Sequence, residues 1–293
     1  MLLAFAACST LEDIPTPVPP TVEEEEGQPS GQQYTITLMA TKSEAETKAL
    51  DLSSDGKTLN AYWASTEKVK VYSGGSLIGT LNVTPDAGEK PATATLSGNI
   101  SISGIAPGDG LTLLIPREIW GYTGQDGTIA GIEASYSYAL ASVTIGTVNS
   151  QDCTVTATGA ADFQNRQSVY RLGFQDGGNY IDPQTFTVSA SSGSMVQSVS
   201  WDGSAWAPLF GNVDVNAGSA PADHFYYVAL RNDSTADDTY GFMITTFDHK
   251  FYIATKAIPA RVLDVPGKFI SAKNIGATQS SFSAESGTTD TAL

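Results

Sequence analysis

The chain has 293 residues, of which 41% are hydrophobic and only 16% are charged, and its formal net charge is −16. The apolar fraction is enough to bury a substantial core and excludes a disordered chain, and the length fits one or two domains. The acidic balance excludes the basic footprint with which proteins bind nucleic acid.

The first eight residues, MLLAFAAC, form a short apolar segment that ends at Cys8. This pattern resembles a bacterial lipobox, in which signal peptidase cuts before a cysteine whose thiol carries a diacylglycerol, and the small Ala6 and Ala7 suit that peptidase. A segment this short cannot cross about 30 Å of hydrocarbon. We therefore predict a signal peptide over residues 1–8 and lipidation of Cys8; the alternative is a buried cysteine in a frayed N-terminus.

Residues 9–33 are predicted to be an acidic, proline-rich linker. Prolines stiffen such a segment, and the run from Glu23 to Glu26 repels itself, so the linker would hold a folded body away from a bilayer. Glu12 and Asp13 resemble the acidic surface-export signal of Bacteroidota lipoproteins, although a solvated linker explains them equally well.

The first regular pattern runs from Tyr34 to Ala40, where Tyr34, Ile36 and Leu38 alternate with polar residues. This period of two predicts a strand that buries those three side chains. Further strands are predicted over 67–72, 77–83, 92–102, 111–116, 136–148 and 153–158, with residues 74–76 as a hairpin turn.

A second set of strands is predicted after Arg166, over 168–174, 185–190, 195–201, 224–230, 240–247, 250–255, 261–265 and 268–271. The segment 224–230 is apolar on both faces, which predicts a central position in its sheet. Asp248 and His249 are predicted to form a two-residue hairpin. Short strands at spacings of about ten residues, without helical periodicity, predict sandwiches.

The predicted organisation has five parts. They are the signal peptide (1–8), the linker (9–33), an N-terminal β-sandwich (34–162), a C-terminal β-sandwich (163–276) and a polar C-terminal tail (277–293).

Residues suited to catalysis or metal binding are scarce. His224 and His249 have no His or Cys partner at zinc spacing, and Cys153 is predicted to be a small apolar residue inside a strand. The acidic cluster 233–238 lacks the glycine and the terminal glutamate of a calcium loop. No nucleophile elbow, HExxH, P-loop or dinucleotide motif occurs, so we predict no enzyme activity, no metal and no cofactor.

Trp201 and Trp206 flank a turn at residues 202–204. An exposed pair at a turn would stack on sugars, which makes both residues candidate glycan contacts. The alternative is that they close one end of a sandwich.

An ordered set of motifs covers most of the chain. It comprises the lipobox and acidic linker, ETKAL (46–50), Trp63 before EKVKVY, GTL (79–81), LSG (96–98), FQNRQSVYRLGF (163–174), TFTVSA, YYVAL, and a KFYIATKAI strand before GKFI (267–270). This set resembles the fimbrillin-like family, the type V pilins and related surface lipoproteins of Bacteroidales.

The resemblance implies two tandem transthyretin-like β-sandwich domains with Greek-key-type connections. It also implies a lipid-anchored fimbrial subunit or adhesion protein, exposed on the outer membrane or in a fimbrium, whose first strand is removed by a trypsin-like protease. A strand of another subunit then fills the groove, which restores main-chain hydrogen bonds and side-chain pockets.

Carried onto this chain, the removable strand is the one that contains Tyr34, Ile36 and Leu38. The family's best-known members are cut after arginine, but the first arginine here is Arg117. Lys48 or Lys42 would therefore be the cleavage site. A tip, anchor or accessory role is as open as a shaft role, the expected partners are other subunits and a host or microbial surface, and the competing class is a glycan-binding surface lipoprotein.

Overall fold

The structure is a computed structural model that describes residues 31–42, 50–52, 59–115, 120–201, 205–260 and 269–279. The side chains of residues 50–61, 201, 269 and 271–274 are outside this description. Predictions about Cys8, Lys48, residues 9–30, the segment 261–265 and the tail beyond Gln279 therefore fall on parts of the chain that the structure does not describe.

The strands of the first half alternate with short connections. They are β1 (Gln32–Lys42), β2 (Leu50–Leu52), β3 (Leu59–Ala61), β4 (Lys68–Ser73), β5 (Ser76–Pro85), β6 (Thr93–Ile102), β7 (Gly110–Ile115), β8 (Trp120–Gly121), β9 (Ala139–Asn149), β10 (Thr154–Ala157) and β11 (Ala161–Asn165). A helical turn, α1 (Ile129–Gly131), continues into a π-helical turn (Ile132–Tyr136). Thr128 caps α1 by accepting a hydrogen bond from the Gly131 amide, and this excursion is too short to show helical periodicity in the sequence.

The second half is also built from strands. They are β12 (Ser168–Asp176), β13 (Asn179–Ile181), β14 (Pro183–Ala190), β15 (Val196–Trp201), β16 (Trp206–Phe210), β17 (Val213–Asn216), β18 (Tyr226–Leu230), β19 (Asp238–Thr246), β20 (Phe251–Ile258) and β21 (Phe269–Gln279). The all-β prediction is confirmed: apart from the 261–265 segment, each predicted strand coincides with a strand of the structure.

The first sheet closes on itself. Successive neighbours in the order β6, β5, β4, β7 and β9 are antiparallel. β9 then pairs both β10 and β11, which follow each other along its free edge. β1 completes the ring, because it pairs β6 on one edge and β10 and β11 on the other. The order β7-β4-β5-β6 is that of a Greek key, in which the fourth strand returns beside the first. The buried side chains inside this ring form the first hydrophobic core.

Two turns in the first sheet test residue-level predictions. Gly74 and Gly75 both have positive φ, 53° and 83°. Both central residues of a two-residue type I′ hairpin turn need φ above zero, so the predicted hairpin turn is confirmed. Cys153 was expected inside a strand, but it lies in the turn before β10 with φ 49° and a half-buried side chain. That prediction was wrong because the alternation of β10 begins one residue later, at Thr154.

The second sheet runs in the order β13-β12-β21-β20-β19-β14-β17, with β18 beside β12. The prediction that residues 224–230 form a central strand was wrong, because β18 pairs with β12 alone among the described strands and lies at the edge of the sheet. The edge of β18 that faces away from β12 is nevertheless covered. Residues 124–127, from the first half of the chain, lie along it.

This covering segment lies between β17 and β18. On one side, the Gly124 amide donates to the Asp214 carbonyl (2.7 Å) and the Asn216 amide donates to the Gln125 carbonyl (2.7 Å). On the other side, the Tyr227 amide donates to the Gly127 carbonyl (2.8 Å). Residues 124–127 therefore join the two edges of the second sheet, so that it is also closed.

The connection from β8 to β9 therefore belongs to both halves of the molecule. β8 pairs β15 at Trp120↔Val199, and six side chains from the first half contribute to the second core: Tyr72, Leu114, Trp120, Tyr122, Ile132 and Tyr138. The first sheet extends through β11 to Asn165, and the second begins with β12 at Ser168. The predicted division at residues 162 and 163 thus falls within β11.

The β19–β20 hairpin also differs from its prediction. The Thr246 amide donates to the Lys250 carbonyl (3.0 Å) and closes a loop of three residues, Phe247 to His249. His249 has φ 60°, which fits a three-residue loop that ends in the left-handed region. The two-residue hairpin at Asp248 and His249 was therefore wrong.

Candidate functional site

Strand β1 is bonded to neighbours on both of its edges. Along β6 it forms ten antiparallel pairs, from Gln32↔Ile102 to Thr41↔Thr93. On the other edge it is parallel to β10 at Thr35 and Ile36, and to β11 from Ala40 to Lys42. Because β1 is the first described strand and closes the ring, its removal would expose two strand edges at once.

The inward side chains of β1 fill the first core. Tyr34, Ile36, Leu38 and Ala40 are each at most 6% exposed, which confirms the predicted buried face. Burying a large apolar side chain is worth about 1.5–3 kcal/mol. Removing β1 would therefore leave a groove with apolar pockets at every second residue.

Pairing on the parallel edge of β1 is interrupted. Residues 37–39 have no pair on β10 or β11; they lie beside the end of β10 and the connection 158–160, close to the point where the register of β10 with β9 shifts. A cavity of about 490 Å³ occurs there, lined by Leu38, Met39 and Thr95 among others. Met39 is 46% exposed. Among the described strands, this part of β1 is paired with β6 alone.

Lys42, the last residue of β1, is buried and ion-paired. Its Nζ lies 2.9 Å from both carboxylate oxygens of Glu67 and 3.0 Å from the Tyr62 carbonyl oxygen. It also lies 4.0 Å from the centroid of the Trp63 ring. The side chains of Lys42 and Glu67 are 0% and 2% exposed. The folded chain thus shields one of the two predicted cleavage residues, while Lys48 lies outside the described residues.

Glu67 was not singled out by sequence analysis. The signal was present, because Lys42 continues the same period of two that buries Tyr34 to Ala40, and an inward lysine requires a buried acceptor. A local turn fixes the Glu67 carboxylate: the Ala64 amide donates to Glu67 Oε2 (2.8 Å), and the Glu67 amide donates to the Ala64 carbonyl (3.0 Å).

The tryptophans pack inside the molecule wherever their side chains are described. Trp63 and Trp120 are 2% and 1% exposed. Trp206 is half-buried, with its ring 5.0 Å from that of Trp120 and 5.6 Å from that of Tyr72. The backbones of Trp201 and Trp206 are opposite each other in the β15–β16 hairpin, but the Trp201 side chain is outside the description. Trp206 therefore packs where the two halves meet.

The same junction contains a tyrosine that remains protonated. Burial raises the pKa of Tyr122 well above its usual range, and the attraction of Arg231 only partly opposes that rise. The neutral Tyr122 hydroxyl donates to the Arg166 carbonyl (3.3 Å). The ring of Tyr122 meets that of Tyr138 edge-on at 5.8 Å. These contacts link residues before β9 to the connection between β11 and β12.

An exposed aromatic cavity lies elsewhere, beside the β19–β20 loop. Its volume is about 620 Å³, and Tyr180, Asp182, Phe247 and Lys250 are among its lining residues. Tyr180 is 40% exposed and stacks on His224 with ring centroids 4.9 Å apart and an interplanar angle of 5°. His224 Nδ1 lies 2.8 Å from Asp182 Oδ1. Asp182 therefore orients the His224 ring, and the His224 ring supports one face of Tyr180.

The described part of the chain has neither a metal site nor a membrane-spanning helix. There, no group of three or more His, Cys, Asp or Glu side chains is placed to hold a metal ion. Within the same residues, no helix is long and apolar enough to span a membrane.

Fold and site together define an all-β protein with two closed sheets, in which the first described strand completes the first sheet. No protein-family model matches the chain, and no curated protein matches it. Several solved structures are similar. A "putative cell adhesion protein" from Bacteroides ovatus is 13% identical, with a TM-score of 0.44 over 85% of this chain and 96% of that one.

Two further structures come from related organisms. A fimbrial assembly protein from Parabacteroides distasonis is 8% identical, with a TM-score of 0.38 over 86% of this chain and 99% of the other. The tip fimbrial protein Mfa3 from Porphyromonas gingivalis, with a C-terminal truncation, is 9% identical, with a TM-score of 0.33 over 78% and 81%. These values are too low to transfer a function to this chain.

Proposed function

We propose that this protein is a fimbrial subunit or a fimbria-associated adhesion lipoprotein of the fimbrillin-like type, anchored to the outer membrane through Cys8. In this proposal, cleavage in the segment that follows β1 in the sequence frees that strand, and a strand of another subunit takes its place. Assembly by such head-to-tail exchange gives an open filament rather than a closed ring.

The position of β1 is the observation that supports this proposal. The strand closes the first sheet, buries four alternate side chains, and is interrupted in its pairing at residues 37–39. A groove that loses it keeps the β6 edge and the β10–β11 edge, both of which need a partner for their main-chain groups. An incoming strand in the same orientation restores both ladders.

Cleavage is assigned to Lys48 rather than to Lys42, because the Lys42 side chain is buried against Glu67 and a trypsin-like protease must bind the lysine side chain. Limited trypsin digestion of the full chain should give one early cut after Lys48, followed by multimers in size-exclusion chromatography. Lys48→Ala should remove that cut, whereas Lys57→Ala, between β2 and β3 in the sequence, should leave it unchanged.

A disulfide lock makes this test specific for β1. Thr37 and Ser97 are directly opposite each other on β1 and β6, within reach of a disulfide. With Cys8 and Cys153 replaced by serine, oxidised Thr37→Cys/Ser97→Cys should be cut but remain monomeric until a reductant is added. The control Lys68→Cys/Asn82→Cys links β4 to β5 and should not prevent assembly. Cut protein that loses β1 and still stays monomeric would contradict the proposal.

A second candidate function is glycan binding. The cavity beside Tyr180 supports it, whereas the described tryptophan side chains pack inside the molecule. An exposed aromatic face backed by a stacked ring suits the apolar face of a sugar. The remaining hydrogen-bonding capacity of Asp182, which contacts His224, and of the Lys250–Asp248 ion pair can serve hydroxyl groups.

Tyr180→Ala should reduce retention on immobilised neutral oligosaccharides by about tenfold or more, while Tyr180→Phe keeps the ring and most of the binding. Phe210→Ala removes another exposed aromatic side chain, 48% exposed, outside this cavity, and serves as the control. Equal retention of wild type and Tyr180→Ala would exclude this site.

A further inference from the structure

We infer that the groove left by β1 selects its incoming strand by charge: the strand must present Lys or Arg at the position of Lys42, opposite Glu67. This inference rests on the proposed strand exchange and specifies its partner. The matching strand has apolar side chains at the positions of Tyr34, Ile36 and Leu38, a small residue at the position of Ala40, and a cation two residues further on.

The described groups around the Lys42 ammonium lie outside β1. They belong to residues 62–67, which precede β4: the Tyr62 carbonyl oxygen, the face of the Trp63 ring and both oxygens of Glu67. A cut after Lys48 leaves all of them in the body of the protein. The acidic end of the groove therefore persists when β1 leaves.

The chemistry of this end favours a cation over any neutral side chain. A carboxylate, a carbonyl oxygen and the face of an indole ring all attract positive charge. With β1 in place the Glu67 side chain is 2% exposed, so a strand that fills the groove with a neutral residue at this position leaves the carboxylate buried without the two hydrogen bonds that it accepts from Lys42. A buried carboxylate that loses its ammonium is strongly destabilised.

The charge also fixes the register of the incoming strand. Alternating apolar residues present the same face after a slip of two residues, so alternation specifies the face and leaves the position to side-chain size and charge. A cation adds a second determinant of register, because a slip of two residues moves it away from the Glu67 carboxylate and the Tyr62 carbonyl oxygen. Segments that carry the apolar pattern alone are disfavoured by the buried carboxylate.

The test uses full chain that has been cut after Lys48 and labelled peptides that compete with the retained β1. The reference peptide is QQYTITLMATK, which repeats residues 32–42. The Lys42→Arg peptide should bind within a few-fold of it, and the Lys42→Met peptide about 100-fold or more weaker. A Thr37→Met peptide, altered on the exposed face, is the matched control and should bind like the reference.

A second arm changes the groove instead of the peptide. In Glu67→Gln protein, the reference peptide and the Lys42→Met peptide should bind within about threefold of each other, because the neutral amide no longer requires a cation. Equal binding of both peptides to wild-type protein would overturn the inference while strand exchange stands. Failure of the reference peptide to bind would instead overturn strand exchange, and the inference with it.

Discussion

Replacing Glu67 by alanine should lower the free energy of unfolding by about 3–5 kcal/mol, the usual effect of removing one member of a buried ion pair. The variant leaves the Lys42 ammonium in a site where its side chain is 0% exposed, without the two 2.9 Å hydrogen bonds to the carboxylate. It also removes the acceptor of the Ala64 amide, which fixes the turn before β4.

Guanidinium unfolding followed by tryptophan fluorescence measures this effect, because Trp63 lies next to the ion pair. Glu89→Ala, which removes an exposed carboxylate, is the matched control and should change stability by less than about 0.5 kcal/mol. The double variant Lys42→Met/Glu67→Leu should recover much of the loss, because it replaces the charges by apolar side chains. A loss below about 1 kcal/mol in Glu67→Ala would mean that the pair is not isolated from water.

The ion pair also connects stability to the proposed assembly. Lys42 ends β1, and Glu67 belongs to the body that remains after cleavage. The pair therefore holds the end of the strand that must leave, while the interrupted pairing at residues 37–39 weakens its middle. In cut protein, β1 should leave the Glu67→Ala variant faster than the wild type, since the release of the strand no longer breaks this pair.

Gln125→Ala should destabilise the second sheet by about 2–4 kcal/mol, because it leaves buried main-chain groups without their hydrogen bonds. Gln125 is 1% exposed. Its side-chain amide donates to the Ala229 carbonyl and to the Tyr122 carbonyl, both at 2.7 Å, and its Oε1 accepts from the Ala229 amide at 2.8 Å. The side chain thus pairs with β18 as a strand residue would.

Urea unfolding and amide hydrogen exchange together measure this effect. In Gln125→Ala, exchange should accelerate at Ala229 and Tyr227 on β18, and less within β1. The control Gln164→Ala removes an exposed amide that bonds the Asp162 carboxylate, and it should change little. Unchanged protection of Ala229 would show that the segment 124–127 is not needed to close the second sheet.

This closure makes the two halves of the molecule interdependent. The segment that covers β18 is part of the β8–β9 connection, and β9 belongs to the ring that β1 completes. Opening the first sheet therefore disturbs β9, which directly follows the β8–β9 connection that covers β18 in the second sheet. The packing of Trp206 against Trp120 and Tyr72 adds an apolar contact at the same junction.

The amino-acid sequence alone predicted most of the longer strands, because alternation of apolar and polar residues follows from which face of a strand is buried. It did not predict the shorter strands β2, β3, β8, β11, β13, β16 and β17. Tyr34, Ile36 and Leu38 show this directly: the pattern predicted their burial, and they lie within the first core. The glycines at 74 and 75 likewise identified a turn through their backbone freedom. Both signals depend only on residues that are close in the chain.

Tertiary structure alone decided how those strands pair. Gln125 and Ala229 are 104 residues apart in sequence, and Lys42 and Glu67 are 25 apart, so neither contact leaves a local pattern that names both partners. The apolar faces of residues 224–230 predicted burial correctly but not its source, because a covering loop and a neighbouring strand bury an edge equally well. Which side chains are buried can be predicted from the local pattern of apolar residues in the sequence. Which residues they contact depends on the distant groups that the packed sheets bring within hydrogen-bonding distance.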